Sequence, residues 1–242
     1  MARCPRRADD GRPVVEDGLA RLLKEVEAEA RETAPYTGIS AFAPSVMRAM
    51  AEVPRPEFVP EEERISAYLD VPLPIGHGQT ISQPYIVALM TDLLEIGPGD
   101  KVLEVGAGSG YQAAVLAKLA RVVHTVEIVP ALARACRERL ARLGFANVVV
   151  HEGDGAEGLA DEGPFDAIMV TAAAPRVPPA LAAQLKSGGR MAIPLGEPGE
   201  TQELALLEKD ARGAVSMRSV LPVRFVPLTG KRSSGPGPLD GR

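Results

Sequence analysis

The stretch "EVGAGSGYQ", residues 104–112, carries the clearest chemistry in the chain. Gly106, Gly108 and Gly110 lack a Cβ, so the backbone can turn sharply and a ligand can come close to it. A helix starting just after them, with Ser109 at its threshold, would offer unpaired N–H groups. Glu127 ends the next apolar run about 20 residues on, where a carboxylate can accept from both hydroxyls of a ribose. Asp154 stands between Gly153 and Gly155 after a third run. An acid there can accept from an exocyclic amine such as adenine N6, although an ordinary Asp-Gly turn has the same sequence. A glycine turn alone fits several nucleotide families, or a plain structural turn. The dinucleotide fingerprint needs a third glycine where this chain has Tyr111, which disfavours a nicotinamide cofactor.

A second stretch, "LPIGHGQTISQP" at residues 73–84, has little catalytic equipment. It holds no metal-ligand spacing, no nucleophile–base pair and no carboxylate pair. Thr80 and Ser82 bring hydroxyl donors with backbone N–H groups between them, a set suited to orienting an anion. The same two residues could instead cap a helix opening at Pro84. Ser82 has no evident partner base and lies outside a G-x-S-x-G elbow, so a covalent role is not expected. His77, His124 and His151 are spaced for no common metal site, and no metal is expected. Cys136 recurs with Leu132, Leu140 and Leu143 at helical spacing, as a packing cysteine does.

The surrounding periodicity supplies the frame for these residues. Val15, Leu19, Leu22, Leu23 and Val26 mark an amphipathic helix, which "ETAPYTG" is expected to break. "SAFAPSVMRAMAEV" reads as a short second helix and the proline-rich "PRPEFVP" as loop. From residue 84 helices and short apolar strands alternate: a helix from Pro84, strand "KVLEV", helix "YQAAVLAKLA", strand "RVVHTVEI". A helix over 131–143 closed by Gly144 follows, then strands "NVVVHEG" and "FDAIMVTAA", helix "PPALAAQLKSGG" and strand "RMAIPLG". That alternation means an α/β fold, a doubly wound and mainly parallel sheet of Rossmann-like type. The residues from 203 to 228 read as strands without a full helix, which places an antiparallel edge at the C-terminal end, and Pro222 suits an edge strand. The expected organisation is a tail at 1–13, one domain over 14–230 and a flexible tail at 231–242. Within the domain, 14–83 form a helical part with the substrate loop, and 84–230 the cofactor-binding core.

Composition narrows the function classes. The chain has 242 residues, 45% hydrophobic, and a net charge of −5. That suits a sizeable core and argues against nucleic acid, since no basic face appears beyond four arginines near the N-terminus. Two cysteines make no disulfide framework, which favours a reducing, cytoplasmic setting. No run of about 20 apolar residues suggests a membrane span.

Glycine turn, ribose acid and base acid together resemble the S-adenosylmethionine site of Rossmann-like methyltransferases. That family commonly carries an acid just before the glycines, here Glu104, which the resemblance puts near the methionine moiety. A closer resemblance covers residues 40 to 230. "LPIGHGQTISQP", "VLEVGAGSGYQAAVLAKL", "GDG", "PFDAIMVTAAAPRVPPAL", the "SGGR" run and "RFVPL" are similar in order and spacing to the protein-L-isoaspartate (D-aspartate) O-methyltransferases. The resemblance implies S-adenosyl-L-methionine as cofactor and isoaspartyl-containing proteins and peptides as partners, with methyl transfer to the free α-carboxylate. It implies Ser82 with Thr80 at the acceptor, and Gln79, Ile81 and, further along, Gln202 near the cofactor. A monomer is expected. Methyl transfer to another acceptor is the alternative. Asp10-Gly11 and Asp240-Gly241 are isomerisation-prone pairs, and the aged chain is a candidate to methylate itself there.

Overall fold

The computed structural model describes residues 12–197 and 199–230. Most of the two expected tails, with both Asp-Gly pairs, lies outside the described residues; Arg12 and Pro13 fall instead in the first turn of a helix.

The core is a seven-stranded sheet. In chain order its parallel part holds β3 (Lys101–Val105), β4 (Val122–Glu127), β5 (Val148–Glu152), β6 (Phe165–Val170) and β7 (Leu185–Leu195). β8 (Gln202–Lys209) and β9 (Val215–Val223) follow. The spatial order is β5-β4-β3-β6-β7-β8-β9, antiparallel only across β7, β8 and β9. The chain leaves β3 toward β4 on one side and later returns to β6 on the other, so the order reverses beside β3. Such a reversal opens a crevice at the carboxyl ends of the strands.

Period-two alternation in the strands feeds two apolar layers. Val102, Val123, Ala167, Met169, Ala192, Leu204 and Leu206 face one layer. Leu103, Val105, Val126, Ile168, Val170, Met191 and Ile193 face the other. Helices α3 (Pro84–Leu93) and α4 (Tyr111–Ala117) cover the first layer, and α5 (Pro130–Arg142) adds Cys136 and Leu140 to it. Leu181 of α6 (Pro179–Gln184) sits in the second. Gly144, at φ 81, ends α5 as its position suggested. Pro222 lies in the edge strand β9, where the missing N–H costs no interior ladder bond.

Against this core lie α1 (Arg12–Thr37) and α2 (Pro44–Glu52). Leu22, Val26 and Ala30 form the buried stripe of α1. The helix runs through most of "ETAPYTG" and ends there, at Thr37. Pro35 falls in its last turn, where one lost N–H is tolerable. The Thr33 hydroxyl donates back to the Glu29 carbonyl at 2.8 Å, and Gly38 N–H to Ala34 C=O at 2.9 Å. "PRPEFVP" includes a 3₁₀ turn over Arg55–Phe58 rather than pure loop. "LPIGHGQTIS" folds as a hairpin, β1 (Leu73–Gly76) with β2 (Gln79–Ile81). Gly76, His77 and Gly78 take left-handed φ values of 86°, 53° and 70° at its tip. The expected helix through "KSGG" stops at Gln184, because Leu185 turns into the second apolar layer. The chain then bulges before Arg190 rejoins β6, and a Cβ at Gly189 would meet the Asp166 carbonyl at 2.7 Å.

Candidate active site

The crevice beside β3 is an open cleft of about 760 Å³. Its floor is the glycine turn. Gly106 N–H and Ala107 N–H both donate to the Val126 carbonyl, at 2.9 and 3.1 Å, which fixes the turn to β4. Gly106 has φ 99°, and a Cβ there would lie 2.5 Å from the Thr171 hydroxyl. Gly110 has φ 87°, and a Cβ there would lie 2.8 Å from the Cys136 sulfur. The third glycine therefore serves close packing of the turn on α5, not the ligand. Tyr111, which follows it, is buried against Phe58 with ring centroids 5.5 Å apart.

Three carboxylates behave differently here. Glu127 is tied to backbone: Gly108 N–H donates to Oε2 at 2.8 Å and Val129 N–H to Oε1 at 2.9 Å. Each oxygen keeps a lone pair for a further donor. Glu104 is fully buried. Its Oε2 accepts from the Thr125 hydroxyl and its Oε1, also buried, has no hydrogen-bond partner among the described residues; the side chain lines the cleft. Burial first, and then the Glu127 charge, push its pKa up to about 8 against the Thr125 hydrogen bond. Asp154 accepts from Ala156 N–H at 3.0 Å and caps the short turn Gly155–Glu157. Gly155 lines the cleft beside it.

The hairpin forms the opposite wall. Gln79, Thr80, Ile81 and Ser82 all line the cleft, with Glu104, Gly106, Gly108, Ser109, Glu127 and Gly155. Thr80 and Ser82 were equally readable as helix caps. The structure gives the cap of α3 to Asp70, whose Oδ1 accepts from Tyr85 N–H at 2.8 Å. Thr80 and Ser82 instead line a second open cleft of about 1040 Å³ as well as the first. Thr171 and Val226 are shared in the same way, so the clefts adjoin at these four residues.

Gly110, Gly153, Asp154 and Gln202 do not line the first cleft. Gln202, expected near the cofactor, is buried as a brace. Its amide donates to the Glu200 carbonyl at 2.7 Å and its Oε1 accepts from Phe225 N–H at 2.8 Å. Sequence reasoning did not assign the segment 226–229, which lines the cleft. Ala173 N–H donates to Val226 C=O at 2.8 Å and Leu228 N–H to Ala173 C=O at 2.7 Å, lacing that segment to "VTAAAP". Both stretches stand out as motifs in the sequence, but only the fold pairs them. His77 lies at the exposed hairpin tip.

Two other expectations concern histidine and cysteine. His124 and His151 do meet: Nδ1 of the first lies 3.1 Å from Nε2 of the second. Glu162 stands 3.9 Å from the opposite nitrogen, Nε2 of His124. One ligand atom from each of His124, His151 and Glu162 lies within 4.8 Å of the other two, a grouping with metal-binding geometry that the sequence spacing did not reveal. Burial lowers the pKa of both histidines. Cys136 is buried in the core, and burial pushes its thiol up to about 12, so it packs and does not react.

A doubly wound sheet with a glycine turn at its switch point, Glu127 tied to that turn and a buried Glu104 in the cleft is a Rossmann-like nucleotide-binding arrangement. Comparison with known proteins narrows the class. The family model for protein-L-isoaspartate (D-aspartate) O-methyltransferase matches residues 36–233, and the chain belongs to that family. It is 57% identical over 211 residues to protein-L-isoaspartate O-methyltransferase 2 of Syntrophobacter fumaroxidans, covering 87% of this chain and 85% of that protein. A solved protein-L-isoaspartate O-methyltransferase superposes with TM-score 0.75 at 28% identity over 88% of this chain; the match spans 66% of that structure. A putative one from Plasmodium falciparum, solved with S-adenosyl-L-homocysteine, superposes with TM-score 0.71 at 27% identity, covering 86% of this chain and 97% of that one.

Proposed function

We propose that this chain transfers a methyl group from S-adenosyl-L-methionine to the free α-carboxylate of L-isoaspartyl residues in damaged proteins and peptides. The observation that carries this reading is the meeting of two clefts at Thr80 and Ser82. One cleft suits a nucleoside carrying a cation. The other opens beside it toward the surface, lined by Glu29, Pro72, Tyr85 and the exposed Arg224.

The residues of the first cleft fit the cofactor. A buried carboxylate with one unpartnered oxygen calls for a cationic donor, and Glu104 is placed to take the methionine end. Glu127 keeps acceptor capacity for ribose hydroxyls, and Gln79 and Ile81 close the cleft from the hairpin side. When bound, the cofactor supplies a methyl on a sulfonium, a leaving group that needs neither a metal nor a general acid.

The remaining chemistry is placement. An isoaspartyl α-carboxylate has a pKa near 4 and is already ionised at neutral pH, so no base is required. Ser82 and Thr80 donate hydrogen bonds to it and turn one oxygen toward the first cleft. Alignment of this kind is worth roughly 7–11 kcal/mol of barrier. The hairpin bonding across Leu73↔Ile81 and Pro74↔Thr80 keeps the two donors from drifting.

We also read the chain as a cytoplasmic monomer that binds neither nucleic acid nor membrane. The net charge of −5 and the buried thiol of Cys136 support this. Among the described residues no helix is long and apolar enough to cross a membrane. The test of the activity is radiolabelled methyl transfer to an isoaspartyl peptide beside the same peptide with normal aspartate. Label on the isoaspartyl form alone is expected; equal or absent label rejects the reading.

A further inference from the structure

Arg55 heads the fully buried side chains of the described residues, at 1% exposure. A buried guanidinium is costly unless an acid lies beside it. Among the described residues no carboxylate comes within 4 Å of Arg55. Its two terminal nitrogens donate to carbonyls, Ser82 at 2.7 Å and Val71 at 2.9 Å. Its Nε has no partner, and its carbon lies 5.4 Å over the Tyr111 ring. Asp70 is felt only at longer range and is itself engaged by Tyr85 N–H and the Gln83 amide.

Val71 precedes the hairpin and Ser82 follows it, so the planar fork clamps both ends of the segment that carries Thr80 and Ser82. Neutral donors could also tie two carbonyls. The charge, offset only at longer range by Asp70, lies buried against the Ser82 carbonyl, where ions screen it little. No carboxylate of the described residues pairs with Arg55 directly, and a carboxylate is the kind of group that the reading above places at Ser82.

We infer that Arg55 is an electrostatic positioning residue: through the Ser82 peptide its buried charge favours an ionised acceptor carboxylate over a neutral group in the same place. The inference rests on the acceptor site proposed above. It has two consequences. The substrate anion is drawn to the hairpin, and the product, whose carboxyl is a neutral ester, loses that attraction and leaves.

The test compares binding of an isoaspartyl peptide with the same peptide bearing a neutral α-carboxamide. Both are titrated calorimetrically into the full chain saturated with S-adenosyl-L-homocysteine. In the wild type the acid binds tighter. In Arg55→Met that preference falls by about tenfold, equivalent to about 1.4 kcal/mol; in Arg55→Lys, which keeps the charge, it stays within about twofold. If Arg55 is only a brace, Arg55→Met weakens acid and amide alike, the ratio holds, and the inference is overturned. The wild type gives an independent reading should the Met variant not fold. Raising salt from about 0.05 to about 0.5 M leaves the preference within about twofold if its source is buried. Collapse of the preference would assign it to the exposed Arg224 instead and overturn the inference. Failure of the wild type to methylate the peptide at all would count against the proposed function; a methylated peptide with an unmoved ratio counts against Arg55 alone.

Discussion

The two walls of the site are built in opposite ways. The cofactor wall, from Glu104 to Glu127, comes from one βαβ unit, and nearly every contact in it is local or between adjacent parallel strands. The acceptor wall gathers Glu29 from α1, Arg55 from a 3₁₀ turn, the hairpin at 73–82, Thr171 after β6 and the segment after β9. The first is rigid because a glycine backbone is packed against its neighbours without slack. The second is held by long-range polar ties: Arg55 to Ser82, Asp70 to Tyr85, Ala173 to Val226. A mutation in the first wall should therefore damage cofactor binding outright, whereas one in the second should separate acceptor chemistry from cofactor affinity.

The largest expected effect is on the rigid side. Gly106→Ala sets a Cβ 2.5 Å from the Thr171 hydroxyl on a residue at φ 99°. Strain of about 1–3 kcal/mol and a displaced turn follow. S-adenosyl-L-homocysteine affinity, read by calorimetry, should fall by about 100-fold or more; unchanged affinity would mean that the turn does not hold the cofactor.

Ser82→Ala probes the other wall. A hydrogen bond to a charged group is worth about 1.5–3 kcal/mol, so turnover on an isoaspartyl peptide should fall by about 10- to 100-fold. Cofactor affinity should stay within about twofold. A defect confined to cofactor affinity would erase the contrast between the walls.

Glu104→Gln sharpens the contrast through pH. In the free protein burial holds the Glu104 proton up to about pH 8. A cationic ligand favours the ionised form, so binding below pH 8 releases that proton. Affinity should climb with pH, by at most about tenfold per unit, and level off above 8. Glu104→Gln should bind more weakly and lose the slope. The same proton has a stability consequence. The folded pKa is raised from 4.5, so between about pH 4.5 and 8 the folded state binds more protons than the unfolded state. Stability of the free protein therefore falls as pH rises through that window, and a pH series of melting temperatures checks the direction.

The smallest effect belongs to Glu29. Burial, and then its hydrogen bond and repulsion with Asp70, raise its pKa to about 7, while Gln83 opposes this. Its share of stability is likewise present below about 4.5 and lost as pH passes 7. Glu29→Gln should flatten that part of the melting curve by a modest amount, since the group is partly solvated, and should leave cofactor affinity unchanged.

What could be read from the sequence follows the same division. Gly106, Gly108 and Glu127 were legible because a βαβ unit fixes their spacing, and Glu104 through the resemblance to the methyltransferases. The alternation of strands and helices was legible because buried parallel strands read as apolar runs. The acceptor wall was legible only as motifs. Thr80 and Ser82 could be named, but not the hairpin under them, since Pro74 and three residues at positive φ read as loop. Arg55 sat in a proline-rich stretch with no periodic signal, and its partners lie 16 and 27 residues away. Gln202 shows the converse: its amide serves the chain around it, and polar residue type alone does not tell a brace from a ligand. His124 and His151 looked unrelated because the register of two adjacent strands, not sequence spacing, brings them together.

The most direct test of the shared boundary at Ser82 is a structure of the chain with S-adenosyl-L-homocysteine and an isoaspartyl peptide. The α-carboxylate should lie in the second cleft, one oxygen within about 3 Å of the Ser82 hydroxyl and facing the cofactor sulfur. A peptide seated elsewhere, or a carboxylate turned away from that sulfur, would contradict the account.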